Sequence, residues 1–471
     1  MIPTAVIAAQ LAGTLEYFET SRVDLRSNQP LPVVPSPPPR EIALAGDASI
    51  APTARLRLND RHWDLALSYA PSFTVTDFEL TTEAQPVVLN AGSVSLGWHD
   101  RRVRVVLSES GSYGWENLAY LYGTPVAGQA AAPGQSQTPG QGLGGTGQGT
   151  GQTSPGQTGQ TPGQTGQSVG QTGTQPVVPI TLFPFGSSSS FASVAVRASR
   201  AVFVAASGGY SISGNLANNA QASAVYPEQY GPSGSVSVGY APSASDVLST
   251  VASAGYLTTP QAVCLAGPAA TTASFCHEET PTVTLQETAR HELSRTATAT
   301  ASLGASATIY QLNSGPAWGI LPVATVVYAQ RLGPPPKDAR APVSGARLAL
   351  ELVPGVNVFT GFPTNRVQAT ASLTNRLDST VGVTFTASAL QTLDIPHPDP
   401  SPLTLLSGGV EVRARLDALV SFAAGVQAFW QAQQNVGALP GVTTPASTGT
   451  TTSGSEVGYL SLTVRAPILK L

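Results

Sequence analysis

Charge is what this chain has least of. Among 471 residues there are 23 Lys and Arg and 27 Asp and Glu, so 11 % are charged, against roughly 25 % in an ordinary soluble domain. Long apolar runs are missing too, and nothing approaches the roughly 18 consecutive apolar residues that a membrane-spanning helix needs. That excludes a helical membrane protein. A disordered polyelectrolyte is excluded by the scarcity of charge together with 41 % hydrophobic residues, because such chains stay unfolded through low hydrophobicity and high net charge. The formal net charge of −4 offers no basic patch for nucleic acid. What remains is a large soluble β protein, or a chain whose apolar surface meets lipid in strands.

Cysteine is nearly absent as well. Cys264 and Cys276, in CLAGPAATTASFC, suggest a small disulfide-closed loop in an oxidising compartment, with two unpaired thiols as the plainer alternative. His277 and Glu278 beside Cys276 show no ligand spacing, so no metal site is expected. Ala5 to Ala12 resemble the end of a secretory h-region, and residues 1–12 read either as the remnant of a signal peptide or as a short irregular arm.

From about Gly123 to Gln175 the chain is Gly, Gln, Thr, Pro and Ser in repeated GQT and PGQ units, with no charge and no aromatic. Such a segment cannot build a core. It reads as a long surface loop, spanning 123–178 at its widest, inserted into one folded unit, because the pattern on both sides is the same.

That pattern is strict alternation. Ala297, Ala299, Ala301, Leu303, Ala305, Ala307 and Ile309 fall on one face of a strand, and Thr296, Thr298, Thr300, Ser302, Gly304, Ser306 and Thr308 on the other. Val410, Val412 and Ala414 oppose Glu411, Arg413 and Arg415 in the same way. Strands of this kind recur about eighteen times, the first near 15–26 being the weakest, and sixteen is the nearest other count. Short polar turns such as His99 to Arg102 and Asn375 to Asp378 alternate with longer Pro- and Gly-rich loops. A β-sandwich would have shorter strands and a charged outer face. A parallel β-helix would show a fixed short repeat. Long strands, one apolar face, one polar face and loops of alternating length together match a closed antiparallel up-and-down transmembrane β-barrel.

On these features the chain resembles a Gram-negative outer-membrane β-barrel over nearly all residues beyond about 40 except the low-complexity segment. The resemblance implies short periplasmic turns, long outer loops, an even strand number, and outer-membrane lipid and lipopolysaccharide as surroundings. The C-terminal VRAPILKL departs from it, since such barrels usually end in an aromatic residue.

Barrel physics then sorts the side chains. Trp63, Tyr69, Trp98, Tyr240, Phe422 and Trp430 lie on apolar faces near strand ends and suit an interfacial aromatic girdle. Arg55, Arg57, Arg102, Arg104, Arg197, Arg347, Glu351, Arg366, Glu411, Arg413 and Arg415 alternate onto polar faces and are expected in the lumen, since an Arg against lipid costs about 2–4 kcal/mol at the midplane. There they either tune selectivity or pair with one another to stiffen the wall. The five histidines form no recognisable catalytic set, and no cofactor fingerprint appears, so neither catalysis nor a cofactor is expected. About eighteen strands enclose an aqueous channel. The expected function is therefore a conduit for hydrophilic solutes or a polymer such as exopolysaccharide. The alternative is a closed structural or adhesion barrel whose outer loops bind partners of a cell-surface complex, and a secreted soluble adhesin is a weaker third; periplasmic or cell-surface proteins are the partner proteins to expect.

Overall fold

The computed structural model describes residues 12–28, 43–76, 85–117, 182–216, 228–265, 273–312, 315–334, 343–356, 363–393, 403–434, 450–466 and 469–470. Residues 1–11 and the low-complexity segment lie outside them. Among the described residues every element is a strand: β1 (Ala12–Asn28), β2 (Ala43–Asn59), β3 (Trp63–Tyr69), β4 (Ser72–Thr76), β5 (Gln85–His99), β6 (Val103–Asn117), β7 (Leu182–Arg197), β8 (Val202–Asn215), β9 (Gln229–Tyr240) and β10 (Asp246–Leu265). The second half supplies β11 (Ala273–Ser294), β12 (Ala297–Leu312), β13 (Gly315–Arg331), β14 (Gly345–Val356), β15 (Pro363–Arg376), β16 (Val381–Leu393), β17 (Leu403–Arg415), β18 (Val420–Gln434), β19 (Thr450–Arg465) and β20 (Leu469–Lys470).

Neighbours in sequence pair antiparallel around one sheet, which closes where β1 meets β19, from Phe18 opposite Arg465 to Asn28 opposite Ser455. Closure removes the sheet's edges, the condition for strands to exist in lipid. The barrel has eighteen staves, not sixteen, because two of the twenty elements are fragments. β3 and β4 are one stave interrupted at Ala70 and Pro71. The register runs through the break unchanged, from Tyr69 opposite Gly92 to Ser72 opposite Leu89, because Pro71 removes only one donor. β20 likewise resumes the last stave beyond Pro467 and pairs with Leu15 and Thr14.

Turns at one end are tight and built from local acceptors. Asp378 Oδ1 accepts the backbone N–H groups of Thr380 and Val381, and Asp417 Oδ1 accepts those of Leu419 and Val420. These Asx clasps turn the chain without tertiary help. In the barrels that the sequence resembles the tight-turn end is the periplasmic one, and it carries that name below.

At the other end β10 and β11 run on to Leu265 and Ala273, past the expected strand ends, with a register shift between Thr259 and Ala262. Pro260 lies in that shift and cannot donate to the ladder. Cys264 stands opposite Ser274 and Cys276 opposite Ala262. The two cysteines are thus strand residues at non-partner positions, not the ends of a loop, and their side chains lie outside the described set.

Candidate functional site: the lumenal wall

Alternation makes the barrel two-faced. Outward residues include Leu303 at 70 %, Trp318 at 72 % and Leu25 at 62 % exposure, which only a lipid surround makes favourable over so large an area. All six expected girdle residues point outward. Trp63 and Trp98 are register partners near the periplasmic end with ring centroids 6.4 Å apart. Tyr240 sits at that end of β9, Phe422 near that end of β18, and Trp430 toward the opposite end. Tyr69 donates its hydroxyl to Asn90 Oδ1 at 2.9 Å. Trp318 and Tyr113 join the outward aromatics, though their strands did not single them out.

An apolar belt on a closed sheet, with polar residues turned to the interior, decides the class. This is a transmembrane β-barrel.

No protein-family model and no curated protein matches the chain. Among solved structures it is similar to the copper transporter OprC (9 % identity, 96 % of this chain and 81 % of that one, TM-score 0.44). It is also similar to the FrpB iron transporter of Neisseria meningitidis (6 %, 96 % and 81 %, 0.47) and to OmpT of Vibrio cholerae in a loop-deleted form (11 %, 97 % and 100 %, 0.34). Likenesses this loose carry no functional argument, so function has to be read from the chemistry of the wall.

The register puts Arg55, Arg57, Arg104, Arg197, Arg347, Glu351, Arg366, Glu411, Arg413 and Arg415 on the lumenal face. Arg102 instead lies in the turn before β6. The same face also carries Arg22, Arg290, Arg331, Arg376 and Arg465, and with them Glu16, Asp64 and Glu292. Among residues with described side chains the wall therefore holds thirteen arginines against five carboxylates.

Not every acidic side chain alternates inward as expected. Glu19, Glu109, Glu287 and Glu456 face outward, Glu287 accepting a 2.7 Å hydrogen bond from Thr250 Oγ1. Glu109 lies between the levels of Trp98 and Tyr113 on the lipid side, beside Gly92, Gly111 and Ser188. Carboxylates tolerate that position better than Arg does. The lumen is not wholly polar either, since Phe203, Leu321, Val323 and Leu390 point into it and are buried.

Charged groups and aromatic rings meet at the seam between the first and last strands. Arg22 lies over the Tyr459 ring at 4.0 Å from its centroid. Tyr459 donates its hydroxyl to Glu411 Oε2 at 2.6 Å, and Arg413 Nη2 lies 2.9 Å from Glu411 Oε1. Arg55 and Arg465 approach the Phe18 ring at 4.9 and 6.0 Å. Stacking on a ring occupies a guanidinium's face and leaves its N–H edge to bond oxygens. Tyr459 fits because Gly425, opposite on β18, has no side chain; a Cβ there would meet the ring at 2.6 Å.

From β6 to β12 the wall above the periplasmic ends is hydroxyl instead. Ser112 pairs with Ser187 at 2.7 Å, Ser207 with Ser235 at 2.7 Å and Thr284 with Ser306 at 2.9 Å. Phe203 lies across Gly239 in this arc, as Tyr459 lies across Gly425 in the other.

Reasoning from sequence missed Phe18, Arg22, Tyr459 and Arg465. The signal was there in β1, where Glu16, Phe18, Thr20 and Arg22 share a face. At the rim, Ser243 Oγ and His291 Nδ1 both bond the carboxylate of Asp246, each at 2.5 Å. The hydroxyl therefore meets the acid and not the imidazole, which is not the order of a nucleophile and its base. Among the described residues no three His, Cys, Asp or Glu side chains converge as metal ligands.

Proposed function

We propose that the barrel is a passive conduit across the outer membrane for hydrophilic solutes or a polyhydroxylated polymer. The observation that supports this reading is a lumen of eighteen staves lined by arginines and paired hydroxyls, a surface that suits water and hydrated solutes. Cross-strand Ser and Thr pairs offer exchangeable donors and acceptors to sugar hydroxyls without a fixed charge. Export of a polysaccharide is the form of transport most compatible with such a wall.

Single-channel recording from purified protein in planar bilayers tests the reading. The expected outcome is discrete conductance, enlarged or unchanged when residues 123–175 are deleted. A chain that folds as a barrel yet never conducts in either form overturns it and favours the closed adhesion barrel.

A further inference from the structure

We propose that this conduit selects anions, and that a collar of arginines at its periplasmic mouth is the selectivity-determining element; the inference rests on the conduit reading. Eleven of the thirteen lumenal arginines lie within about six residues of the periplasmic strand ends, all but Arg22 and Arg366. They come from β2, β6, β7, β11, β13, β14, β15, β17 and β19, and so surround the mouth instead of forming one patch.

Carboxylates are outnumbered there. Glu411 sits beside Arg413 and Glu292 lies 3.6 Å from Arg290, while Glu16, Asp64 and, deeper in, Glu351 complete the acids of the described wall. Among the described side chains the positive surplus of the wall is thus at the periplasmic end.

Scale favours an effect on permeation. Eighteen strands about 4.8 Å apart and tilted by about 40° give a backbone diameter of about 35 Å. Guanidinium tips then stand roughly 10 Å from the axis, about one Debye length at 0.1 M salt. Low-dielectric walls focus their field into the lumen. Arginine carries its charge on a planar, delocalised guanidinium. Its planar fork matches carboxylate and phosphate oxygens. The solute class that fits both halves of the wall is an acidic, polyhydroxylated one, with carboxylates on the collar and hydroxyls on the serine arc. The whole-chain charge of −4 conceals this because it also counts the acidic residues of the rest of the chain.

Reversal potentials in a potassium chloride gradient decide the matter. The wild-type channel is expected to pass chloride several-fold more readily than potassium. R57Q/R104Q/R331Q, which neutralises three exposed positions around the collar, is expected to bring the ratio toward one, and R57E/R104E/R331E to bring it below one. If the triple reversal fails to fold, the single change R104Q still has to lower the ratio. A conducting channel that prefers potassium, or whose ratio ignores all of these changes, overturns anion selectivity while leaving the conduit intact. A wild-type barrel without conductance overturns the conduit reading instead.

Discussion

Two arcs of one wall solve the same problem differently. The seam formed by β17, β18, β19, β1 and β2 holds its lumenal side chains with charge and stacked rings: Arg22 on Tyr459, Tyr459 on Glu411, Glu411 on Arg413. The arc from β6 to β12 uses neutral hydroxyl pairs and one buried ring, Phe203, at 6 % exposure. Both lay an aromatic ring over a glycine of the adjacent strand, a local fit that flattens the wall and stiffens it. The difference lies in how the polar groups are used. Hydroxyl pairs satisfy one another, whereas stacking on a ring consumes none of a guanidinium's donors.

The comparison can be broken in four ways. Phe203→Ala is expected to cost about 3 kcal/mol, since a nearly buried ring is lost and Gly239 cannot fill the space. Denaturant unfolding in detergent reads it, and a loss below that of the seam variant reverses the ranking of the two arcs. Tyr459→Phe removes one hydrogen bond to a charged acceptor and is expected to cost about 1.5 kcal/mol, with the loss shrinking between 0.1 and 1 M salt. Thr284→Val leaves Ser306, which is fully buried, without its partner and is expected to cost about 1 kcal/mol. Its loss is expected to be indifferent to salt, so a salt-dependent result would erase the distinction between the arcs.

The smallest effect belongs to the turns. The Thr380 backbone N–H, the Thr380 hydroxyl and the Val381 N–H hold the Asp378 carboxyl below its usual range. Because the folded value is the lower one, the clasp contributes at pH above the ordinary carboxylate range and fades as pH falls through it toward the folded value. Asp378→Asn is therefore expected to unfold slightly more easily at neutral pH and no differently in strong acid. Equal destabilisation at both ends of a pH series would show that the clasp does not depend on charge.

Alternation made the staves legible. Leu303 and Ser302 could not exchange faces without turning every neighbour in β12, so the register followed from the pattern. The break at Pro71 was not legible as a break, because the flanking residues keep their alternation through it. The outward carboxylates were hidden by the rule that places charge in the lumen. Glu109 obeys the local period and violates only the expected cost of charge in lipid, which is smaller for acids. The seam was illegible for a topological reason. Arg22 and Tyr459 each look ordinary in their own strands, and nothing local says that residues so far apart become neighbours.

That distance has a consequence for how the protein is made. Thr20 and Thr463, hydrogen-bonded at 3.1 Å, are 443 positions apart in the chain, so the pairing of β1 with the last stave, β19 and β20, is the most remote contact a growing sheet has to find. An open sheet already contains the hydroxyl arc in finished form, but it contains only half of the seam. The stacked arginine on Tyr459 comes into being when the ring of strands shuts. Assembly and competence are therefore completed by one event, and quenching or shielding at Tyr459 reports the moment a newly inserted chain becomes a closed barrel.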